Sequence, residues 1–444
     1  MNILCIGYYD KHSRFFLGIK KQLQKETYNL NFKINSIHLS GFLYTLLRFQ
    51  YSIWLPMKVW LRAIKNKKKY ITIIDSSDIY KNICYKTLIK FHDNLNAKIS
   101  KKNLLIQTLS YIDFFEEYLN ENEIDLILLI GDSRLCIEVC IALCKKSKIK
   151  IYFIEQGPFN TTIFNDTGVN ANIQINPNLN AIPSHETDVT IKKLLNSSKN
   201  KKYNRFFVYR GLDFLIMKII NNCYLFPPDL KFTDVLPSFF KNSKNISPTK
   251  RDRNNKIYLL VLQVPMDVNM IYHSPNFKNH YEIVKSIHEN LPINAQLLIR
   301  EHPIFRGKYE KELYEYLNDH NLAIDKNKNI NASLKLADVV IVNNSTVGLQ
   351  AITFQKPVVV LGNAYYDNSK ICLKYNSNNN LKYILNISHS FKPEKNIIFS
   401  FLNEFFFKYS VAGNIDDQNL IAAKTISDII KQNFNQQIIN NNLN

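Results

Sequence analysis

Two segments in the C-terminal half run from apolar residues straight into polar ones. The first is Leu297-Leu298-Ile299-Arg300-Glu301-His302-Pro303-Ile304-Phe305-Arg306-Gly307. The second is Ala337-Asp338-Val339-Val340-Ile341-Val342-Asn343-Asn344-Ser345-Thr346-Val347-Gly348, followed by Lys356-Pro357-Val358-Val359-Val360-Leu361-Gly362. Such runs are how a parallel strand buried on both faces delivers side chains to its carboxyl end. Open α/β sheets bind ligands at that edge. Ser345-Thr346 opens what reads as a helix, so hydroxyls and free backbone N–H groups would meet an incoming anion together. His302-Pro303, with Arg300 and Arg306 nearby and Asn344, Ser345 and Thr346 after the next strand, suits the phosphate of a nucleotide donor.

Two acids take similar positions in the N-terminal half. Ile127-Leu128-Leu129-Ile130 leads into Gly131-Asp132-Ser133-Arg134, and Ile151-Tyr152-Phe153-Ile154 leads into Glu155-Gln156-Gly157-Pro158. Paired carboxylates serve glycosyl transfer: one acts as base or nucleophile at the anomeric carbon while the other handles a proton or steadies positive charge. An acid at a strand end also commonly caps the next helix, and that reading stands beside the catalytic one. Glu155 and Asp132 are the candidate catalytic residues. The stretch Thr161–Ala171 after Glu155 is polar and contains glycine, and it reads as a loop lining the acceptor side. No Asp-x-Asp pair stands at a strand end, and Asp10, Asp75 and Asp78 do not make one, so no metal is expected.

These residues need a large scaffold. At 444 residues the chain exceeds one ordinary core, so two domains are expected. Hydrophobic content of 46% with 12% aromatics excludes general disorder. The net charge of +20 implies a polyanionic partner, an anionic membrane face or acidic glycan ahead of nucleic acid. Abundant Asn, Lys and Ile offer a second, compositional source for that charge. Seven cysteines, an odd number without a C-x-x-C pair, indicate neither a disulfide framework nor a zinc site. Cys136, Cys140 and Cys144 share one helical face as core packing, which fits a reducing cytoplasm. Met1–Gly7 lacks a basic leader and reads as a first strand, and Ile124–Cys144 is interrupted by Asp132, Arg134 and Glu138. A soluble or peripheral protein is expected.

The organisation is repeated βα. Strands are expected at Asn2–Gly7, Tyr70–Ile74, Asp125–Ile130, Lys150–Ile154, Lys256–Gln263, Gln296–Arg300, Val339–Asn343 and Pro357–Leu361. Helices are expected at Ser13–Lys25, Leu105–Asn120, Leu135–Lys146, Tyr281–Asn290, Lys308–Asp319 and Thr346–Phe354. This grammar gives an α/β fold, glycosyltransferase-B-like, with two Rossmann-like domains facing a cleft. The first spans 1–228 on the acceptor side with the candidate carboxylates. A polar linker spans 229–255, a nucleotide-sugar-binding domain 256–432, and a disordered Asn/Gln-rich tail 433–444. Gly41–Tyr70 interleaves aromatic residues with cations, including Lys67-Lys68-Lys69. It reads either as a helix in an anionic lipid interface or as a packed helix with a solvated basic end. Arg205–Leu225 is a second, weaker stretch of that kind, and such a stretch is more often core than membrane-facing.

In order and spacing the motifs resemble the capsule polysaccharide biosynthesis family of bacterial Kdo transferases (KpsS/KpsC type). Its Gly-Asp-x-Arg, Glu-Glu-Gly and Gly-Val-Asn elements correspond to Gly131–Arg134, Glu155-Gln156-Gly157 and Gly168-Val169-Asn170. Its Leu-Gln-Val…Asp segment corresponds to Leu262-Gln263-Val264 and Asp267, and its His-Pro-x-x-Arg-Gly to His302, Pro303, Arg306 and Gly307. Asn-Ser-Thr-Val-Gly-Leu corresponds to Asn344–Leu349, and the closing element to Lys356–Val358, Leu361, Gly362, Ala364 and Tyr366. Gln156, Asn165 and Glu301 depart from the family pattern. The resemblance implies transfer of a 3-deoxy-ulosonic acid, Kdo or a related nonulosonic acid, from its CMP-activated donor to a capsule, lipid-linker or surface-glycan acceptor.

By that resemblance, donor binding falls to His302, Pro303, Arg300, Arg306, Asn344, Ser345, Thr346 and Gln263. Arg134, Gly157, Asp166 and Asn170 fall on the acceptor or sugar side. The CMP-sugar is a co-substrate rather than a cofactor. Further partners are capsule-assembly proteins and the cytoplasmic face of the inner membrane, without nucleic acid. The alternatives are a CDP-polyol phosphotransferase of teichoic-acid type, which Gly131–Arg134 and Gly168–Asn170 speak against, and a non-catalytic capsule-assembly scaffold.

Overall fold

The computed structural model describes residues 1–25, 29–95, 99–175, 191, 195, 200–220, 223–230, 255–265, 267–378 and 380–442. In chain order the strands are β1 (Asn2–Gly7), β2 (Asn31–Ser36), β3 (Ile79–Tyr80), β4 (Ile83–Cys84), β5 (Leu126–Ile130), β6 (Lys150–Gln156) and β7 (Thr161–Asn165). There follow β8 (Lys256–Val261), β9 (Ala295–Arg300), β10 (Ala323–Ile324), β11 (Val339–Val342), β12 (Val358–Val360), β13 (Leu373–Lys374) and β14 (Ser410–Ala412). The chain forms two compact units. One comprises Met1–Val169, Lys192–Thr233 and Phe406–Asn444, the other Asn170–Ile191 and Asp234–Phe405.

The first unit holds a six-stranded sheet in the order β14-β7-β6-β5-β1-β2. Its β2, β1, β5 and β6 run parallel, and β7 and β14 add antiparallel pairs at one edge. Every residue of β5 is buried, as a central strand covered on both faces requires. Ile3, Cys5, Leu128, Ile130 and Ile154 pack with Phe15, Phe16 and Ile19 of helix Asp10–Leu23 and with Ala422, Ala423 and Ile426 of helix Ile421–Asn442. The sheet order reverses between β1 and β5, so the loops after those strands meet at a switch point.

The second unit's six-stranded sheet has the order β10-β9-β8-β11-β12-β13 and is parallel throughout. Its switch point lies between β8 and β11. Leu260, Leu297, Ile299, Ile341 and Val359 meet Val284, Ile287 and Leu313 from the flanking helices His280–Glu289 and Lys311–Asp319. Each unit is thus a Rossmann-like α/β layer, as the sequence implied.

Several expectations are corrected. Tyr70–Ile74 is helical, within Lys67–Ser76. The buried Asp113 carboxylate draws that segment inward, accepting from the Tyr70 hydroxyl at 3.0 Å, the Tyr80 hydroxyl at 2.8 Å and Lys69 Nζ at 3.1 Å. Thr161–Asn165, expected as a loop, is the wholly buried strand β7. Asp229, assigned to the linker, is fully buried in the first unit, and residues 231–254 lie outside the described residues.

The C-terminal segment does not continue the second domain. Phe406–Asn444 returns to the first unit, where helix Ile421–Asn442 lies along helix Asp10–Leu23. Gly18 permits that approach, since a β-carbon there would stand 2.8 Å from Leu420 Cδ1. The tail expected to fray from residue 433 is helical through Asn442, and Asn433 Nδ2 donates to the Tyr152 hydroxyl at 2.8 Å. Ile426 is completely buried in this contact. Ile426→Ala should therefore lower unfolding stability by about 2–5 kcal/mol. A urea-melt loss well under about 1 kcal/mol would mean the segment is not part of the first core.

Candidate functional site

In the second unit the carboxyl ends of β8, β9 and β11 present neighbouring side chains whose buried polar atoms have no hydrogen-bond partner among the described residues. They are both amide atoms of Gln263, His302 Nδ1, Asn343 Oδ1 and Asn344 Oδ1. Gln263, Asn343 and Asn344 are buried and flank the switch point. The amide nitrogens of Asn344 and Asn343 are anchored. Asn344 Nδ2 donates to the carbonyls of Asn269 (2.9 Å) and His273 (3.0 Å), and Asn343 Nδ2 points to Met270 Sδ (3.4 Å). Their oxygens are thereby aimed rather than free to turn.

Tyr309 ties two of these strand ends together. Its buried hydroxyl accepts from the His302 backbone N–H at 2.9 Å and donates to the Gln263 carbonyl at 3.0 Å. Burial lowers the His302 pKa below 6.5, while the nearby Asp267 carboxylate pulls it upward, and the net shift is down. Glu301, which departs from the family pattern, turns back into its own loop. Its Oε1 accepts from Gly307 N (3.0 Å) and from the Tyr314 hydroxyl (2.5 Å), and Gly307 has φ +71°.

Not every expected donor residue faces this edge. Arg300 is buried, and its Nη1 is committed to Asp325 (2.5 Å), Ser333 Oγ (2.9 Å) and the Asn327 carbonyl (3.0 Å), so it braces the loops around β10. Pro303 and Arg306 are exposed on the loop after β9. The helix expected at Thr346–Phe354 is Val347–Thr353 with Thr346 as its N-cap. Ser345 Oγ already accepts the Val347 N–H at 3.3 Å, while Thr346 is exposed. Gly348 lies against Tyr366, whose ring would stand 2.8 Å from an added β-carbon, and Tyr366 donates to the Ser345 carbonyl. The motif positions Gly348 and Tyr366 are thus packing partners.

In the first unit the candidate acids gather at the β1/β5 switch point. Asp132 Oδ2 accepts the Val169 N–H at 3.0 Å, which joins the Gly-Asp-Ser-Arg and Gly-Val-Asn segments. Glu155 is the penultimate residue of β6, with Oε1 accepting from Gln156 N at 2.9 Å. Gly131, at φ +75°, lies between its carboxylate and Tyr8: an added β-carbon would stand 3.8 Å from Glu155 Oε2 and 3.9 Å from the Tyr8 hydroxyl. Burial, with Asp229 and Glu155 adding to it, raises the Tyr8 pKa against the opposing charge of Arg134, so Tyr8 stays a neutral phenol. Arg134 stacks 4.7 Å over the Phe91 ring and holds φ +131°. That conformation costs a non-glycine residue about 1–3 kcal/mol and is typical of functional loops.

Asn165 builds the turn after β7. Its Oδ1 accepts from Thr167 N and Oγ1 (both 2.8 Å) and from Gly168 N (3.1 Å). Gly157 serves the hairpin, since a β-carbon there would meet Thr161 Oγ1 at 2.4 Å. Asp166 is exposed on the turn, and Asn170 opens a short turn at φ +52°. Sequence reasoning missed Tyr8, His12 and His38. His12 Nδ1 accepts from Tyr8 N (3.1 Å) and Tyr9 N (3.3 Å), and His38 stacks 4.3 Å from Tyr9. Burial and then Arg134 and Arg205 push the His38 pKa down to about 3. The signal was available for Tyr8 and His12, which follow β1 at the switch point; His38 follows β2, which no apolar run announces.

Among the described residues no group of three or more His, Cys, Asp or Glu side chains could hold a metal ion, and no helix is long and apolar enough to cross a membrane. The profile of the family described as "Capsule polysaccharide biosynthesis protein" matches residues 232–414. Protein FixF of Sinorhizobium fredii is 29% identical over 170 residues, 37% of this chain and 41% of FixF. The capsule polysaccharide modification protein LipB of Neisseria meningitidis serogroup A is 21% identical over 315 residues, 63% of this chain and 70% of LipB. The solved KpsC beta Kdo 2,7 transferase of Thermosulfurimonas dismutans superposes with a TM-score of 0.37 at 16% identity, over 71% of this chain and 89% of that one.

The Tyr309 bridge gives a test of the site's construction. Tyr309→Phe leaves the His302 N–H and the Gln263 carbonyl without their shared partner, which should cost about 1–3 kcal/mol in urea unfolding. An unchanged midpoint, with unchanged His302 imidazole resonances, would show that the bridge does not set the strand ends.

Proposed function

The chain belongs at the superfamily level to the capsule polysaccharide biosynthesis and Kdo-transferase family, and from that premise we propose that it is a glycosyltransferase using a nucleotide-activated sugar. The donor is a CMP-activated 3-deoxy-ulosonic acid, Kdo or a related nonulosonic acid, and the acceptor is a capsule, lipid-linker or surface glycan. The observation that carries this reading is the set of buried, unpartnered polar atoms on Gln263, His302, Asn343 and Asn344 at one switch point. Leaving such atoms without a partner costs about 1–3 kcal/mol each, a cost that a polar ligand removes. Amides suit the hydroxyls and ring edges of a nucleoside, and an imidazole beside them suits its phosphate.

In the reaction the bond between the anomeric carbon and the CMP phosphate oxygen breaks, and a bond from an acceptor hydroxyl oxygen forms. Negative charge grows on CMP and oxocarbenium character on the sugar. His302 stabilises the first as an imidazolium. Glu155 either meets the second as a nucleophile, its bond to the anomeric carbon then broken by the acceptor oxygen, or takes the acceptor hydroxyl's proton as base. Asp132 holds the Val169 turn, and Arg134 offers a cation to the sugar or acceptor. Thr346 and Arg306, both exposed, are the further phosphate-side contacts; Arg300 is not among them.

Glu155→Gln keeps size and hydrogen bonding but removes the charge. It should lower turnover by about a hundredfold or more while CMP affinity stays within about twofold. A variant retaining most of its turnover would move the essential carboxylate to Asp132 or Asp166.

The phosphate assignment predicts a pH dependence with a defined sign. Burial holds the His302 pKa below 6.5, and a bound phosphate raises it, so binding takes up a proton. CMP affinity should rise as pH falls through the region below 6.5, and His302→Gln should flatten that rise and weaken binding by roughly ten- to a hundredfold. Calorimetry in two buffers of different ionisation enthalpy reads the proton directly. No uptake in the wild type would remove His302 from the phosphate.

A further inference from the structure

We propose that the first unit docks on an anionic lipid surface through an apolar face made by helix Phe207–Ile220 and the end of helix Leu39–Leu46. The proposal rests on that unit's own surface and is independent of which reaction the chain catalyses. Helix Phe207–Ile220 is amphipathic in the reverse sense. Toward the protein it places Asp213, buried, which accepts from Ser40 N (3.0 Å) and pairs with Arg205 Nη2 (2.7 Å). Outward it places Phe207, Val208, Phe214, Leu215 and Ile219, all exposed. Their spacing of i, i+1, i+7, i+8 and i+12 makes one stripe, and a stripe of this kind ordinarily faces a core.

The two helices pair antiparallel, Ser40 with Asp213 and Tyr44 with Tyr209, whose rings are 5.9 Å apart. That sets Phe206 and Phe207 beside the end of helix Leu39–Leu46, where Leu46, Leu47 and Phe49 are exposed. Phe49 is fully exposed at 101% and holds φ +54°, with its N–H on the Leu46 carbonyl at 3.0 Å. Glycine or asparagine suits that position after a helix. A phenylalanine there gains nothing in folding, because it is strained and wet at once.

Charge identifies the occupant. Residues 39–74 contain no Asp or Glu, and the single acid of 205–225 is the buried Asp213. Arg48, Arg210 and Lys218 stand exposed among the apolar side chains, and Lys58, Lys65 and Lys68 are exposed on the two following helices. Lys67 and Lys69 are turned to other work, one over the Tyr224 ring at 4.7 Å and the other on Asp113. A second copy would bring cation against cation, so the face is not self-complementary. Apolar side chains interleaved with cations fit a lipid surface with anionic headgroups. The two tryptophans of the Gly41–Tyr70 stretch contribute little, because Trp54 and Trp60 are half-buried and donate to the Ile37 and Tyr224 carbonyls (both 2.9 Å).

The test is co-sedimentation of the full chain with vesicles of phosphatidylglycerol and phosphatidylcholine, against phosphatidylcholine alone. The wild type should partition onto the anionic vesicles. The double variant Phe207→Ser/Leu215→Ser should weaken partitioning by about tenfold or more while CMP affinity and thermal midpoint hold. Phe49→Asn guards against misfolding, since it should weaken partitioning by several-fold while leaving the midpoint equal or higher. Three results would overturn the proposal. One is no preference for anionic vesicles. Another is salt-sensitive binding that ignores both apolar variants, which is adsorption by charge alone. The last is a wild-type dimer that Phe207→Ser/Leu215→Ser turns into a monomer without any vesicle binding.

Discussion

Amides buried at the ends of neighbouring parallel strands govern the second unit. Asn343, Asn344 and Gln263 are placed where β8 and β11 diverge, and the fold must hold their polar atoms out of water without satisfying all of them. Much of the surrounding sequence exists to keep that arrangement rigid. Gly362 is required because a β-carbon would lie 2.5 Å from both Asn343 Oδ1 and the His273 carbonyl. Gly362 N in turn donates to the Asn343 carbonyl at 2.8 Å, and Asn363 N to the His273 carbonyl at 2.8 Å. Lys356 Nζ, in the Lys-Pro motif, ties the start of β12 to the Ala337 carbonyl at 2.7 Å. Motif residues that look like ligand contacts are therefore partly the frame that aims the contacts.

The first unit solves the corresponding problem with charge. Helix Leu135–Ser147 begins at the switch point, and the Cys136 N–H in its first turn is taken by a buried carboxylate. Asp229 Oδ1 accepts from Cys136 N at 3.0 Å, and its Oδ2 accepts from the Tyr111 hydroxyl at 2.9 Å. Burial raises the Asp229 pKa, and His92, the Cys136 N–H and Tyr111 together bring it below its ordinary value, so it stays an anion. The helix dipole is thus answered by a carboxylate from inside the unit. Burial keeps His12 and His38 neutral, and His12 is spent on fixing the loop after β1.

Where the sequence was legible, one physical signal carried it: unbroken apolar runs in parallel strands. β1 matches its expected bounds, and β8, β9, β11 and β12 fall within two residues of theirs. The losses have distinct causes. β2, Asn-Phe-Lys-Ile-Asn-Ser, has no such run, and β14 is defined by pairing with β7, far away in sequence. Strand-end logic gives position but not direction. Arg300 and His302 both follow the apolar part of β9, yet Arg300 turns to Asp325 and away from the ligand edge. An ion-pair partner distant in the chain decides such a residue, and local pattern cannot reveal it. Asp229 was unreadable for the same reason, since a polar, proline-flanked segment conceals a buried anchor.

Amphipathicity has the same blind spot. The stripe Phe207, Val208, Phe214, Leu215, Ile219 is present in the sequence, but a stripe has no sign, and the usual inference puts it inside. What reverses it is a polar contact of higher cost. Asp213 cannot be buried without partners, and its partners, Arg205 and the Ser40 N–H, lie on the body of the first unit. Arg205 also pairs with Asp10 at 2.5 Å and lies 4.4 Å over the Tyr9 ring, directly after β1. The ion pair that turns the apolar stripe outward is thus continuous with the loop beside the candidate acids. The outward face and that loop are held in register by the same guanidinium.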